Sequence, residues 1–369
     1  MKTWLQLITA LACTSLVACA SGSGSTHPGG AGGSRAQEQV TPGDSTAAVG
    51  GAGTAGEEVR LERVTFPSEG ETLVGVVYLP AGMKPGEKLP LVIVAGSWTT
   101  VKEQMAGLYA QRLAEAGIPA MTFDFRFFGE SGGQPRQYES PEKKIQDIQN
   151  AVRFARTLPF VDSKRLGGLG LCASAGYMAH AIARGAPLKS FATVAAWMHD
   201  ARTVRSLYGG EAGVRRRIQA GEAARARYEK TGEVEYVPAH SGTDERAAMF
   251  SPLDYYSKPS RGAIPQWTNR FTVMSWPEWL RFDALEAAPK VRVPTLFVHT
   301  DESALPDNVG RFAAAMPGPK DLFWIEGQHL DFYDREPYVT KAVAAVADHF
   351  ERTLRRSAPL SSLQSSRGE

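Results

Sequence analysis

Small residues surround a cysteine at the end of an apolar run, in the order G-L-C-A-S from Gly170 to Ser174. A sharp strand-to-helix turn at this point would hold the thiol of Cys172 above a sheet, next to the positive end of a helix. That position favours a thiolate, whose unperturbed pKa is about 8.5. The amide of Ala173 would face a developing oxyanion. We therefore expect Cys172 to be a nucleophile and Ala173 to be one of two oxyanion donors.

Two other interpretations of this turn stay open. Free cysteine is among the most buried residue types, so Cys172 could be an inert thiol in the core. Ser174 could be the nucleophile instead, because small residues flank it as well. The expected strand argues against Ser174, since it would have to run two residues longer and turn inside the start of the helix.

The segments around the turn alternate between apolar strands and amphipathic helices. Strands are predicted at residues 58–66, 71–78, 89–95, 119–125, 166–171, 189–196, 293–299 and 321–325. Helices are predicted at 102–116, 141–158 and 338–354, and a further helix starts at Ala173, because apolar residues recur there at helical spacing. Strands that alternate with helices pair in parallel, so the sequence predicts a doubly wound α/β sheet.

A run of eight strands with such a turn after the fifth resembles the α/β-hydrolase fold, over about residues 58–356. A cysteine at this turn resembles the arrangement found in the dienelactone hydrolases. The motifs are V-K-E-Q at 101–104, F-D-F-R-F-F-G-E-S at 123–131, G-L-C-A at 170–173 and H-L-D-F-Y-D at 329–334. The resemblance implies a mostly parallel eight-stranded sheet, helices on both faces, a helical cap insertion and hydrolase activity.

This fold also implies where the rest of the site should lie. The base follows the last strand, where His329 stands, and the acid follows the strand before it. Asp301 and Glu302 both qualify as the acid, and we favour Asp301 because it is shorter and closer to the strand. The second oxyanion donor is expected from the backbone of Ser97 or Trp98.

Residues 198–290 form an insertion between the sixth and seventh strands, where such enzymes carry a cap. Its aromatic residues between 255 and 282 are expected to line an apolar acyl or aryl pocket. Its arginines are interpreted as a solvated face, although they could hold an acidic substrate. These arginines are Arg202, Arg205, Arg215, Arg216, Arg217, Arg225 and Arg227.

The first residues are typical of a targeting segment. Lys2 precedes an apolar run, and L-V-A-C, which ends at Cys19, resembles the bacterial lipobox. We therefore expect a lipoprotein signal peptide at 1–19, lipid on Cys19, and a membrane anchor in the bacterial cell envelope that faces the periplasm or the exterior. The alternative is a plain secretory signal that is cut near Ala20.

The other regions follow from composition. Residues 20–56 are rich in Gly and Ser and should form a flexible tether, 57–357 the hydrolase domain, and 358–369 a disordered tail. The 369 residues carry 41 basic and 39 acidic side chains, and this balance does not suggest a nucleic-acid partner. Of three cysteines, Cys172 alone falls in the predicted domain, so a disulfide framework is excluded there.

No His or Cys cluster has ligand spacing, so neither a metal nor an organic cofactor is implied. The leading hypothesis is a hydrolase of small carboxylic esters, thioesters or lactones that uses Cys172, His329 and Asp301 through an acyl-enzyme. One alternative is a catalytically silent, ligand-binding envelope lipoprotein. Another is an acyl transferase on the same fold.

Overall fold

A computed structural model describes residues 58–355. The predicted signal peptide with Cys19, the tether at 20–56 and the tail at 358–369 lie outside these residues. The sequence-based expectations for those three segments therefore stay predictions.

One eight-stranded sheet forms the centre of the molecule. Its strands are β1 (Arg60–Ser68), β2 (Glu71–Leu79), β3 (Leu89–Ala95), β4 (Ala120–Phe123), β5 (Val161–Leu171), β6 (Ser190–Val194), β7 (Thr295–His299) and β8 (Lys320–Trp324). Their spatial order is β1-β2-β4-β3-β5-β6-β7-β8. Strand β2 runs antiparallel to β1 and β4, and the other neighbours are parallel. The predicted α/β-hydrolase architecture is confirmed.

Helices cover both faces of the sheet. Helices α1 (Met105–Glu115), α2 (Pro141–Ala155) and α3 (Ala173–Ala183) precede the insertion. Within it are α4 (Ala201–Leu207), α5 (Gly210–Thr231), α6 (Asp254–Ser257) and α7 (Trp276–Arg281), and after it come α8 (Pro306–Ala315), α9 (Asp331–Asp334) and α10 (Tyr338–Thr353). Helices α2 and α3 pack together on one face, and α1 and α10 pack together on the other.

The local sequence explains the elements that carry the site. Strand β3 is apolar because helices cover it on both faces, and its last five residues are buried. Helix α1 begins at Met105 and not at the predicted Lys102, because the preceding residues form a loop in which Gln104 Oε1 accepts the amide of Val101 at 2.8 Å. Helix α2 begins after Ser140, whose hydroxyl caps its first turn.

Residues between β6 and β7 form helices α4 to α7, two pairs of two-residue strands, and the 3₁₀ segments Val273–Ser275 and Ala284–Lys290. Contacts between aromatic rings pack this segment against the sheet. The ring of Trp98, in the loop after β3, lies 4.6 Å from that of Trp279 and 5.0 Å from that of Phe271. None of the helices between residues 58 and 355 combines the length and hydrophobicity that crossing a bilayer requires.

Candidate active site

Cys172 stands between β5 and α3, on a turn with unusual backbone geometry. Its φ is 54° and its ψ is −119°, a conformation that costs a residue other than glycine about 1–3 kcal/mol. A Cβ atom on Gly170 would lie 2.6 Å from Cα of Ala175, so this position accepts glycine alone without a backbone shift. The strand-to-helix turn predicted from the small residues is therefore present.

The thiol of Cys172 is buried among hydrogen-bond donors. The hydroxyls of Ser97 and Tyr333 and the amides of Ala173 and Trp98 all interact with it. Burial nevertheless raises the pKa of the Cys172 thiol, and these four donors offset that effect in part. The start of the helix favours the thiolate, as expected, through the amide of Ala173, but desolvation outweighs this contribution.

Ser174 has a structural role in the turn. Its side chain is completely buried, and its hydroxyl donates a hydrogen bond to the carbonyl of Gly96. Since this bond ties the start of α3 to the loop after β3, the geometry does not favour Ser174 as a nucleophile.

The loop after β3 supplies the other half of the expected oxyanion site. Trp98 directs its amide to the thiol, whereas Ser97 contributes its hydroxyl. Thr99 adopts a φ of 61°, and two contacts from distant residues hold it there. Its amide donates to Glu139 Oε2 at 3.1 Å, and its carbonyl accepts from Trp267 Nε1 at 2.9 Å. The loop conformation is thus determined by tertiary contacts.

A buried ion pair supports this loop. Nζ of Lys144 lies 2.8 Å from Glu139 Oε2, and both side chains are almost fully buried. The Tyr177 hydroxyl donates to Glu139 Oε1 at 2.9 Å. The sequence analysis missed this pair. The sequence contains one indication that Lys144 is buried. Lys144 precedes Ile148 by four residues, so it lies on the apolar face of helix α2.

His329 follows β8, as expected, and its ring is buried. Nε2 lies 3.2 Å from the Tyr333 hydroxyl, and Nδ1 lies 2.6 Å from Ser303 Oγ and 3.3 Å from the amide of Ala304. Burial lowers the pKa of His329 to about 3, because the imidazolium would be desolvated, and the nearby ring of His299 adds to the effect. The ring is therefore neutral at physiological pH.

Tyr333 is a second residue that the sequence analysis missed. Its hydroxyl contacts the thiol of Cys172 and lies 3.0 Å from Ser97 Oγ and 3.2 Å from Nε2 of His329. Desolvation raises its pKa well above the ordinary value, so the hydroxyl keeps its proton. Tyr333 belongs to helix α9 and to the motif H-L-D-F-Y-D, four residues after the histidine.

The structure does not bring Asp301 to His329. The carboxylate of Asp301 is exposed and accepts a hydrogen bond from Trp324 Nε1 at 2.8 Å, at the end of the neighbouring strand β8. The backbone of Glu302 pairs with that of Gln328, directly before the histidine. Of the two candidate acids, Glu302 is therefore attached to the segment that carries the base.

Three carboxylates that could hold a metal ion also converge beside this part of the fold. They belong to Glu103, Asp124 and Glu130. The ammonium of Lys102 lies among them, at 2.6 Å, 2.9 Å and 2.6 Å respectively. These hydrogen bonds raise the pKa of Lys102 in spite of its burial, so its ammonium occupies the centre of the carboxylate group.

Cys172, Ala173, Ser97, Trp98 and His329 line one cavity of about 460 Å³. Most of the other lining residues come from the insertion between β6 and β7, including its aromatic side chains Tyr208, Tyr256 and Trp279. The structure thus brings the predicted nucleophile, the predicted base and both oxyanion amides to one concave site.

Comparisons with known proteins agree with this architecture. A family model described as "Esterase FrsA-like" matches residues 48–206. The chain is similar to an uncharacterised protein of Pseudomonas aeruginosa, PA2218, with 31% identity over 343 residues that cover 87% of each chain. The crystal structure of PA2218 superimposes with a TM-score of 0.69, at 27% identity, over 80% of this chain and 94% of that one.

Two fungal proteins are also similar. The α/β hydrolase GrgF from a Penicillium species shares the fold, with a TM-score of 0.67 and 21% identity over 80% of this chain and 99% of its own. A local match of 36% identity over 119 residues links the chain to the thiohydrolase aneE of Aspergillus aculeatus, over 32% of this chain and 36% of that one. On the sheet order, the strand-to-helix turn at Cys172 and these relatives, the chain belongs to the α/β-hydrolase superfamily.

Proposed function

We propose that this protein hydrolyses ester or thioester bonds of small organic substrates through an acyl-enzyme on Cys172. The observation that carries the proposal is the convergence of the thiol, two backbone amides and His329 on one cavity. A buried nucleophile faced by preorganised amides is suited to acyl transfer, because the amides stabilise the oxyanion as it forms.

The reaction follows from these positions. The sulfur of Cys172 attacks the carbonyl carbon while the thiol proton passes to Nε2 of His329, with the Tyr333 hydroxyl in contact with both groups. The amides of Ala173 and Trp98 hold the oxyanion of the tetrahedral intermediate. Its collapse breaks the bond to the alcohol or thiol, which leaves with the proton from His329. A thioester on Cys172 remains.

Water completes the cycle. His329 removes a proton from the water as it attacks the thioester carbonyl, and the second tetrahedral intermediate expels the sulfur, which recovers its proton. The carboxylic acid then leaves. Because both Cys172 and His329 are neutral at rest, the pair works as a nucleophile and a general base and not as a preformed ion pair.

An acid that orients His329 would stabilise its charged form during each step. We propose Glu302 for this role in place of Asp301. The backbone pairing of Glu302 beside Gln328 supports the choice, as does the bond that directs Asp301 to Trp324.

The relatives support an ester or thioester as the bond that is cleaved. One is named a thiohydrolase, and the matching family model is described as esterase-like. The resemblance to dienelactone hydrolases and the action on lactones stay predictions from the sequence motifs. We also propose that lipid on Cys19 anchors the enzyme in the cell envelope, and this rests on the sequence of residues 1–19 alone.

Covalent labelling tests the proposal. The wild-type protein is incubated with a β-lactone probe and with p-nitrophenyl esters, and mass spectrometry of the peptides identifies the modified residue. We expect an adduct on Cys172 and ester cleavage, both lost in Cys172→Ala, while Ser174→Ala keeps the adduct.

Three other outcomes would contradict the proposal. Labelling of Ser174 would reassign the nucleophile. Tight ligand binding by a wild type that neither labels nor cleaves would support the silent binding protein. An adduct on Cys172 that is released by an added alcohol or amine, and not by water, would indicate an acyl transferase.

A further inference from the structure

Arg217 of helix α5 is a half-buried cation that lines the active-site cavity. One of its nitrogens donates to the carbonyls of Tyr208 and Gly213, at 3.0 Å and 3.3 Å. Its guanidinium carbon lies 5.3 Å and 5.4 Å from the ring centres of Tyr208 and Trp276. Carbonyls and rings therefore hold the group at the cavity wall.

No carboxylate balances this charge within residues 58–355, since Arg217 forms no ion pair there. Burial lowers the pKa of Arg217, and the neighbouring charge of Arg216 acts in the same direction. A desolvated cation without a counterion is costly for a folded protein. An anion that enters the cavity would remove that cost.

Arg216 lines the same cavity and, in the part of the chain that is described, is not ion-paired either. Three other arginines of the insertion differ, because Arg205, Arg225 and Arg227 each lie within 3.0 Å of a glutamate oxygen. The predicted solvated face therefore describes most of the set, including the exposed Arg216, and fails for the half-buried Arg217.

The cavity connects these cations to the nucleophile. Cys172 and the oxyanion amides line it together with the rings of Tyr208 and Trp279 and the two arginines. One acidic side chain, Glu245, lines it as well, so the cavity keeps an excess of positive charge. Its wall thus combines a reactive carbonyl site, aromatic surface and a guanidinium pair.

We propose that the substrate is an anionic ester or thioester, a half-ester of a dicarboxylic acid, whose free carboxylate binds Arg217 and Arg216. Guanidinium groups recognise carboxylates through paired hydrogen bonds, which gives both affinity and direction. The aromatic walls take up the methylene chain between the two carbonyl groups. This inference rests on the proposed function and adds the substrate class.

Matched esters test it in the full-length protein. The mono-p-nitrophenyl ester of glutaric acid is compared with p-nitrophenyl pentanoate, which has the same chain length and no charge. A series of half-esters from succinate to suberate then shows which chain length the enzyme prefers. We expect the wild type to prefer the best half-ester by about tenfold or more in kcat/KM, because a charge-assisted hydrogen bond differs by that much from a neutral contact.

Arginine variants identify the residues that bind the carboxylate. Arg217→Gln and Arg216→Gln should each lower the ratio of the two kcat/KM values, and the double variant should bring it close to one. Arg215→Gln is the matched control, because this exposed arginine lies on the same helix outside the cavity lining. A ratio is insensitive to a loss of folded protein, since both esters report on the same sample.

A binding experiment separates this inference from the proposed function. Cys172→Ala protein is titrated with the p-nitroanilides of glutaric and pentanoic acids. Tighter binding of the charged anilide, lost in Arg217→Gln, would support the anion site even if neither ester is cleaved. Ester cleavage without preference for the charged substrate, or equal binding of both anilides, would overturn the anion site.

Discussion

The hydroxyl of Tyr333 lies 3.2 Å from Nε2 of His329 and also hydrogen-bonds the thiol of Cys172. One phenol thus touches both side chains between which the proton moves in the proposed mechanism. It also keeps its proton, because burial raises the pKa of Tyr333. We therefore expect the phenol to take part in the transfer or to hold its two partners in register.

The Tyr333→Phe variant tests this relationship. Loss of the hydroxyl should lower kcat by about tenfold to a hundredfold with little change in KM, since the contact involves reacting atoms and not the bound substrate. Tyr256→Phe is the control, because it removes another buried hydroxyl that also bonds Ser97, at 3.2 Å. Equal rates for wild type and Tyr333→Phe would refute a role in the chemistry.

Alkylation of Cys172 should depend on pH in a specific way. Burial raises the pKa of this thiol, so its thiolate fraction at neutral pH is below that of an ordinary cysteine. We expect the iodoacetamide rate at the Cys172 peptide to reach half of its maximum above pH of about 8.5, the pKa of an ordinary thiol. A plateau reached below that pH would mean that a thiolate and imidazolium pair exists at rest.

The pH profile of kcat/KM provides a second check on the neutral pair. Burial lowers the pKa of His329 to about 3, so the base stays neutral as the pH falls through the range in which an ordinary histidine is protonated. We expect kcat/KM to show no acid limb near pH of about 6.5, the pKa of an ordinary histidine, as long as the protein stays folded. An acid limb there, with unchanged near-UV circular dichroism, would contradict this expectation.

The ion pair of Glu139 and Lys144, which supports the loop after β3, should affect both the stability of the fold and the turnover rate. Glu139→Gln leaves the buried ammonium of Lys144 without its counterion, so we expect a loss of about 3–5 kcal/mol in the free energy of unfolding. Glu139→Gln combined with Lys144→Met should recover part of this stability. The double variant should still turn over slowly, because glutamine has one acceptor oxygen, whereas Glu139 accepts from the Thr99 amide and the Tyr177 hydroxyl with two. Urea unfolding and steady-state kinetics measure the two effects, and full activity in the double variant would show that the loop does not need Glu139.

Gly170 should tolerate no larger residue. Gly170→Val places a Cβ 2.6 Å from the backbone of Ala175, so we expect little folded protein. Gly310→Ala serves as the control, because nothing lies within 4 Å of a Cβ on that helical residue. It should be neutral or stabilising by about 0.5–1 kcal/mol. Thermal unfolding of both variants decides whether the tight turn, and not glycine content in general, limits stability.

The motifs determined a large part of this protein. Apolar strands alternating with amphipathic helices require a parallel sheet, and small residues around Cys172 require a sharp turn at the end of its fifth strand. These patterns are local, because each depends on neighbours within a few residues along the chain. They were sufficient for the fold, for the position of Cys172 and for the loop that carries His329.

Tertiary structure alone decided the chemistry of the site. Burial, and not the start of helix α3, controls the charge of Cys172, and the contact between Tyr333 and the thiol joins segments more than a hundred residues apart. The direction of the Asp301 carboxylate depends on Trp324 in the neighbouring strand. The absence of an ion pair at Arg217 among the described residues depends on how the insertion packs. Desolvation and side-chain direction are set by residues that are distant in sequence, so local patterns carry no record of them.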